Sequence, residues 1–297
     1  MTFTLLTGDA LASLKTLSAD SVDCCLTSPP YWGQRHRSYG AQSTLGTESD
    51  PSDYIQTLAF IFAEVRRVLK PTGTLFLNMG DSYLHKRALG IPWAVAFTLR
   101  DWGWNIRQSI IWAKPNPIPE PVKDRFVRSH ECIFLLTKGQ DYFWDYAATR
   151  ERGVTTDRPG EAQRDTRITH GAGGGNGGLN AAKDRMREQL RTQGYVTRTR
   201  RDVWTLPTCA GNGHYAVMPE ALAERCILPG CPKGGIVLDP FMGSGTSGAV
   251  ALRHGRGFVG IDMNPEYVSM ASLRLAKAQK VSRAAVMPPS LFEEESA

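Results

Sequence analysis

The stretch GGIVLDPFMGSGTSGAVAL, residues 234–252, leaves a chain few folds to choose from. A short apolar run, Gly235–Asp239, passes through a turn holding Gly243, Gly245 and Gly248 and enters an apolar helical pattern, Thr246–His254. Glycines in such a turn let the backbone bend tightly and let a ligand or a packed helix come close. A strand that leads straight into a helix fits an open, mostly parallel sheet with helices on both faces. The pattern is G-x-G-x-x-G, which a dinucleotide site, another nucleoside site or a plain packing turn can all carry. Two carboxylates narrow it. Asp239 ends the strand and suits a cationic amino group, while Asp262 ends the next strand and suits two ribose hydroxyls. For Asp262, capping the following turn is the rival role.

The rest of the chain alternates in the same way. Strands are expected at Thr2–Leu6, Val22–Thr27, Thr74–Asn78, Gln108–Ala113, Glu131–Thr137 and Phe258–Asp262. Helices are expected at Ala10–Leu17 with Asp9 as cap, and from Pro51 with Asp50 as cap, stopped by Pro71-Thr72-Gly73. Further helices are expected at Ala88–Arg100, where Pro92 favours a later start, at Pro219–Leu228, and at Pro265–Gln279 with Asn264 as cap. Lys114–Val122 is a Pro-rich loop.

Residues 150–202 break the texture. They hold twelve Lys or Arg against seven Asp or Glu, so they carry +5 of the chain's net +6, and they include GAGGGNGG at 171–178. That composition predicts a mobile, unpacked insertion. The expected organisation is therefore one half-domain at 1–149, a recognition insertion at 150–202, a second half-domain at 203–283 and a flexible, acidic tail at 284–297. The six cysteines form no CxxC pair and no zinc-like spacing, which points to a reduced intracellular chain without a structural metal. No leader-like start and no apolar run of about 18 residues is present, so a cytoplasmic protein is expected, away from membranes.

The second informative site is Thr27-Ser28-Pro29-Pro30-Tyr31-Trp32, directly after a strand apolar on both faces. Two prolines make the corner stiff. It offers a hydroxyl, a free carbonyl and an aromatic ring together, groups that suit a planar base carrying NH2. Ser28 and the Pro29 carbonyl can each accept one amine hydrogen, and Tyr31 can stack on the ring. Drawing both hydrogens toward acceptors frees the nitrogen lone pair for an in-line displacement. A bare strand end is the plain alternative.

TSPPY and DPFMGSGT together resemble the catalytic and cofactor motifs of the amino-methyltransferases that modify DNA. Their order, catalytic motif first, resembles the β class of that family. The likeness covers residues 4–280 apart from 150–202. It implies a Rossmann-like methyltransferase fold with circularly permuted motifs and S-adenosylmethionine (SAM) as methyl donor. By resemblance, Ser28, Pro29, Pro30 and Tyr31 are catalytic. Thr27, Asp239, Pro240, Phe241, Gly243, Ser244, Gly245, Thr246 and Asp262 surround SAM, and His214, Tyr215, Met218 and Pro219 line its methionine end. The segment 110–138, with Lys114, Arg128, His130 and Glu131, also fits the family. Ser at the head of the corner favours the N4 amine of cytosine, with the N6 amine of adenine as alternative. Attack at C5 needs a cysteine nucleophile, and no Pro-Cys dipeptide occurs.

A stacked duplex hides the amine, so the base must flip out. Arg185, Arg187, Arg191, Arg198, Arg200 and Arg201 are expected to hold double-stranded DNA, with Arg164 and Arg167 as further candidates and with Arg35, His36 and Arg37 near the flipped nucleotide. A separate restriction endonuclease is an expected partner, and the chain itself is expected to be a monomer or a homodimer. An NAD-dependent oxidoreductase and a non-catalytic DNA-binding protein are the remote alternatives. RNA or protein amines stay open as acceptors.

Overall fold

The computed structural model describes residues 1–33, 45–152, 197–208 and 218–284, with Arg185, Glu188, Gln189 and Thr192 between them. In chain order the strands are β1 (Phe3–Thr7), β2 (Val22–Thr27), β3 (Leu69–Met79), β4 (Tyr83–Leu84), β5 (Arg87–Ala88), β6 (Asn105–Ala113), β7 (His130–Thr137), β8 (Arg150–Arg152), β9 (Thr197–Thr199), β10 (Val203–Thr205), β11 (Ile236–Asp239) and β12 (Gly257–Asp262). The helices are α1 (Ala10–Lys15), α2 (Pro51–Val68), α3 (Ile91–Asp101), α4 (Glu220–Gly230), α5 (Thr246–Arg253) and α6 (Pro265–Ala284). The chain divides into two compact units, residues 1–145 with 202–297, and residues 146–201.

The first unit holds an eight-stranded sheet in the order β1-β12-β11-β2-β3-β7-β6-β10. Neighbours run parallel except β7, which is antiparallel to both β3 and β6. Alternate residues feed two cores, as strand pleating requires. Cys25, Leu75, Leu77, Phe134 and Leu136 pack with α1, α2 and α3. Cys24, Leu26, Phe76, Ile133 and Leu135 pack with α4, α5 and α6. All six residues of β2 are buried, and its one carboxylate, Asp23, accepts from Lys70 Nζ and the Ile236 amide, each at 2.8 Å.

Local chemistry sets most helix starts. Asp9 accepts from the Ala12 amide at 2.9 Å, Asp50 from Ser52 at 2.7 Å, and Asn264 from Glu266 at 2.9 Å. Helix α2 buries Tyr54, Leu58, Phe62 and Val65 completely. Each such side chain contributes about 1.5–3 kcal/mol.

Three expectations need correction. Pro71-Thr72-Gly73 does not stop α2. The helix ends at Val68, Leu69 is already extended, and β3 runs through Pro71 on its exposed first turn. The later start that Pro92 favours is present: helix α3 starts at Ile91, where Gly90 takes a left-handed conformation (φ 67°) and Pro92 occupies the first turn. Helix α6 extends to Ala284, five residues beyond the expected Gln279. The insertion is not wholly unpacked. Its ends pair as antiparallel β8 and β9, and Glu151 bridges Arg198 at 3.1 Å and Arg200 at 3.3 Å. The GAGGGNGG run, Arg164, Arg167 and the acidic tail from 285 onward lie outside the described residues. Among the described residues, no helix is long and apolar enough to cross a membrane.

Candidate active site

Strand order reverses between β11 and β2. From β2 the chain crosses through α2 to β3 on one side, and from β11 it crosses through α5 to β12 on the other. Crevices at such a switch point, beyond the carboxyl ends of the strands, are where open α/β sheets bind ligands. The two sequence motifs meet there. Thr27, the last residue of β2, donates its hydroxyl to Asp239 Oδ1, at the end of β11, at 2.7 Å across a sequence gap of 212 residues.

Asp239 is 5% exposed. It accepts from Thr27, from the Ser247 hydroxyl at 2.6 Å and from the Phe241 amide at 3.1 Å. Burial raises its pKa to about 6, against the pull of those three donors, and the nearby Asp262 charge adds to the rise. Of the two roles weighed for Asp262, the turn cap is present. Its Oδ1 accepts from the Asn264 amide at 2.9 Å, a turn cap, and its Oδ2 accepts from the Gly243 amide at 2.9 Å, which fixes the glycine loop. The carboxylate remains partly exposed. Gly245 precedes α5 with φ 77°, and a Cβ there would lie 2.8 Å from Leu275 Cδ1. The loop needs glycine at this point for conformation and for space.

Ser244 and Thr246 face Arg274 of α6, which donates to them at 3.4 and 2.9 Å and also pairs with Glu220 at 2.8 Å. Pro219 is the buried N-cap of α4, and Met218 packs beside the same core. His214 and Tyr215 lie outside the described residues. Two acidic strand ends flank a glycine turn with left-handed backbone at Gly243 and Gly245. That donor set fits a nucleoside carrying a cationic amino acid, so the residues present suit SAM.

The corner itself is cross-linked by side chains. The Tyr31 hydroxyl donates to Glu131 Oε2 at 2.8 Å and lies 3.1 Å from Ser28 Oγ. Asn78 Nδ2 donates to Glu131 Oε2 at 2.7 Å and to Tyr31 Oη at 3.0 Å. Lys114 pairs with Glu131 Oε1 and lies over the Trp112 ring. Tyr54 of α2 donates to the Pro30 carbonyl at 2.8 Å. A Cβ on Gly80 would sit 2.8 Å from Tyr31 Cε2, so the ring rests directly on the backbone there. Burial, and the Glu131 charge beside it, push the Tyr31 phenol well above its ordinary range, which keeps it neutral.

Antiparallel β7 makes this possible. Its first residues reach the edge where the parallel strands end, so Glu131, opposite Trp112, meets Asn78 and Tyr31. Asn78, Tyr54 and Gly80 had no place among the sequence candidates, and Glu131 and Lys114 had no role. The available signal was Asn78, a lone amide closing the apolar strand end 75–79.

Among the described residues, the cysteines are inert thiols. Cys24, Cys25, Cys132, Cys226 and Cys231 are buried thiols in no disulfide, and burial lifts the Cys24 thiol to about 12. Of the expected DNA contacts, Arg185 and Arg201 are exposed, whereas Arg198 and Arg200 share Glu151. Arg35, His36, Arg37, Arg187 and Arg191 lie outside the described residues.

Comparison with known proteins follows the same lines. The family described as DNA methylase matches residues 22–273. The type II methyltransferase M.Cfr9I of Citrobacter freundii is 38% identical over 92% of this chain and 87% of its own. M.SmaI of Serratia marcescens is 37% identical over 92% and 90%. Among solved structures, the cytosine-N4-specific PvuII DNA methyltransferase superposes with a TM-score of 0.67 at 18% identity, covering 95% of this chain and 92% of that one. A DNA modification methylase from Thermus thermophilus, solved in complex with SAM, matches with a TM-score of 0.61 at 25% identity, covering 93% and 94%.

Proposed function

Since the chain belongs to the N6/N4 DNA methylase family and is a SAM-dependent DNA methyltransferase, we propose that it methylates the exocyclic N4 amine of a cytosine flipped out of duplex DNA. The observation that carries this reading is the Thr27–Asp239 hydrogen bond, which ties the proline corner to the glycine loop. Bound SAM supplies a methyl group made electrophilic by its sulfonium. The chain's own residues do the rest. Asp239 and Asp262 hold the two ends of the donor loop. Ser28 Oγ and the Pro29 carbonyl accept the amine hydrogens and turn the nitrogen lone pair toward the donor. Tyr31, stiffened by Gly80 and Glu131, presents the exposed part of its ring to the base. Such catalysis works by positioning and fixed dipoles.

Ser28 at the head of the corner supports cytosine over adenine, and the cytosine-N4-specific name of one structural neighbour agrees with that choice. The type II names of the relatives support a role as the modification half of a restriction system, with a separate endonuclease cutting the same sequence. The exposed cations of residues 146–201 are the proposed grip on the DNA backbone. Mass spectrometry of nucleosides from DNA treated with the purified protein and SAM tests the assignment. N4-methyldeoxycytidine is expected. N6-methyldeoxyadenosine in its place overturns the choice of base and leaves the enzyme class standing.

A further inference from the structure

Methylation of an amine leaves a proton to dispose of, and the corner contains a directed path for it. The path starts at Ser28 Oγ, passes to Tyr31 Oη at 3.1 Å, and ends at Glu131 Oε2, a further 2.8 Å on. Its direction is fixed from the far end. A carboxylate only accepts, so the Tyr31 hydroxyl must donate to Glu131. Tyr31 Oη then accepts, and the hydrogen shared with Ser28 belongs to Ser28. Ser28 Oγ accepts a long bond from Asn78 Nδ2 at 3.4 Å, which leaves its second lone pair for the incoming amine.

Asn78 holds the same polarity. Its amide donates to both Glu131 and Tyr31, and its own Oδ1 is left buried without a partner. Flipping the amide would set an oxygen 2.7 Å from the Glu131 carboxylate. The cost of the orphaned oxygen is offset by a charge-assisted bond. Lys114 pairs with the second Glu131 oxygen, so charge is balanced where the path ends.

We propose that the surplus proton of the methylated amine leaves through Ser28 and Tyr31 to Glu131, with Asn78 and Lys114 as positioning residues. This rests on the amino-methyl transfer reading above. As the nitrogen pair forms the N–C bond, the C–S bond breaks and its pair stays on sulfur. The nitrogen then carries one proton too many. That proton moves to Ser28 Oγ, the Ser28 proton moves to Tyr31 Oη, and the Tyr31 proton moves to Glu131 Oε2. Ser28 and Tyr31 end as they began, and the Glu131 carboxylate becomes a carboxylic acid. Its side chain is 13% exposed, which lets it return the proton to solvent.

The test is single-turnover methyl transfer by the full chain as a function of pH, for wild type, Glu131→Gln and Tyr31→Phe. SAM binding by calorimetry is measured alongside. Wild-type transfer to DNA is the preliminary check: if wild type methylates no DNA, the enzyme reading itself has failed. Given an active wild type, both variants should bind SAM within about twofold of it and lose about 10²-fold in rate, the usual scale of acid–base assistance. Their rates should climb with pH, and added imidazole should restore part of the loss. Wild-type rates in the variants overturn the relay. So does a loss that ignores both pH and imidazole, or one that comes with lost SAM binding, since each marks a structural role.

Discussion

The two halves of the cleft are built in opposite ways. Apart from the Thr27–Asp239 bond that joins the two halves, the donor loop is made from near neighbours in sequence. Asp239 binds Phe241 and Ser247, two and eight residues on, and Asp262 reaches back 19 residues to Gly243. The catalytic corner is made from distant ones. Ser28, Pro30 and Tyr31 are held by residues 24 to 100 positions away, at Tyr54, Asn78 and Glu131. A local, largely backbone-based loop suits a ligand shared by many chains. A corner cross-linked by side chains can be tuned for one acceptor. If this division is right, damage to the corner should fall on chemistry and damage to the loop on SAM affinity.

The sharpest break is expected from Ser28→Ala. Methyl transfer at saturating SAM should drop by roughly 10²–10³-fold, the scale for losing one preorganised polar group at a reacting centre. SAM affinity by calorimetry should stay within about twofold. Asp262→Ala should do the reverse. It removes the acceptor for the Gly243 and Asn264 amides and should weaken SAM binding by about tenfold or more, while the rate at saturating SAM changes little.

This contrast also explains what could be read before the fold was known. The caps at Asp9, Asp50 and Asn264, the buried strand β2 and the glycine loop depend on residues a few positions apart, so their patterns survive in one dimension. The TSPPY corner was visible for the same reason. The support under it was not. Asn78 looks like part of an ordinary strand until the reversal of β7 brings Glu131 beside it. Leu69 shows the same limit, because a helix and a strand meet there without the loop that Pro71 and Gly73 suggest. In residues 150–202, composition pointed to an unpacked segment, and it said nothing of the β8–β9 pairing that Glu151 holds together.

Acidity offers a smaller test of the donor side. Burial places the Asp239 pKa at about 6, above the ordinary 3.8 of a free Asp carboxyl. A raised carboxyl favours the folded state in its protonated form, so its contribution to stability is lost as pH rises from about 4 through about 6. Ligand binding runs the other way if, as proposed, the cationic amino group of SAM meets the Asp239 carboxylate. Lowering the pH from 7 to 5 should weaken SAM binding by about tenfold through this group. Asp239→Asn should bind more weakly at pH 7 and lose the pH step. An unchanged step in the variant would assign it to another group.

The smallest expected effect lies in the second unit. Arg185→Ala should weaken DNA binding less than tenfold and lower the slope of log affinity against log salt by about 1, as for one lost phosphate contact. An unchanged slope would remove Arg185 from the DNA surface without touching the cleft.

The most direct measurement is a crystal structure with sinefungin, a SAM analogue carrying an amine where the methyl group would be. The expected result has its nucleoside against Asp262, its amino-acid end near Asp239, and its transfer position turned toward Ser28 and Tyr31. An analogue seated elsewhere, or one whose transfer position faces away from residues 28–31, would contradict the shared cleft.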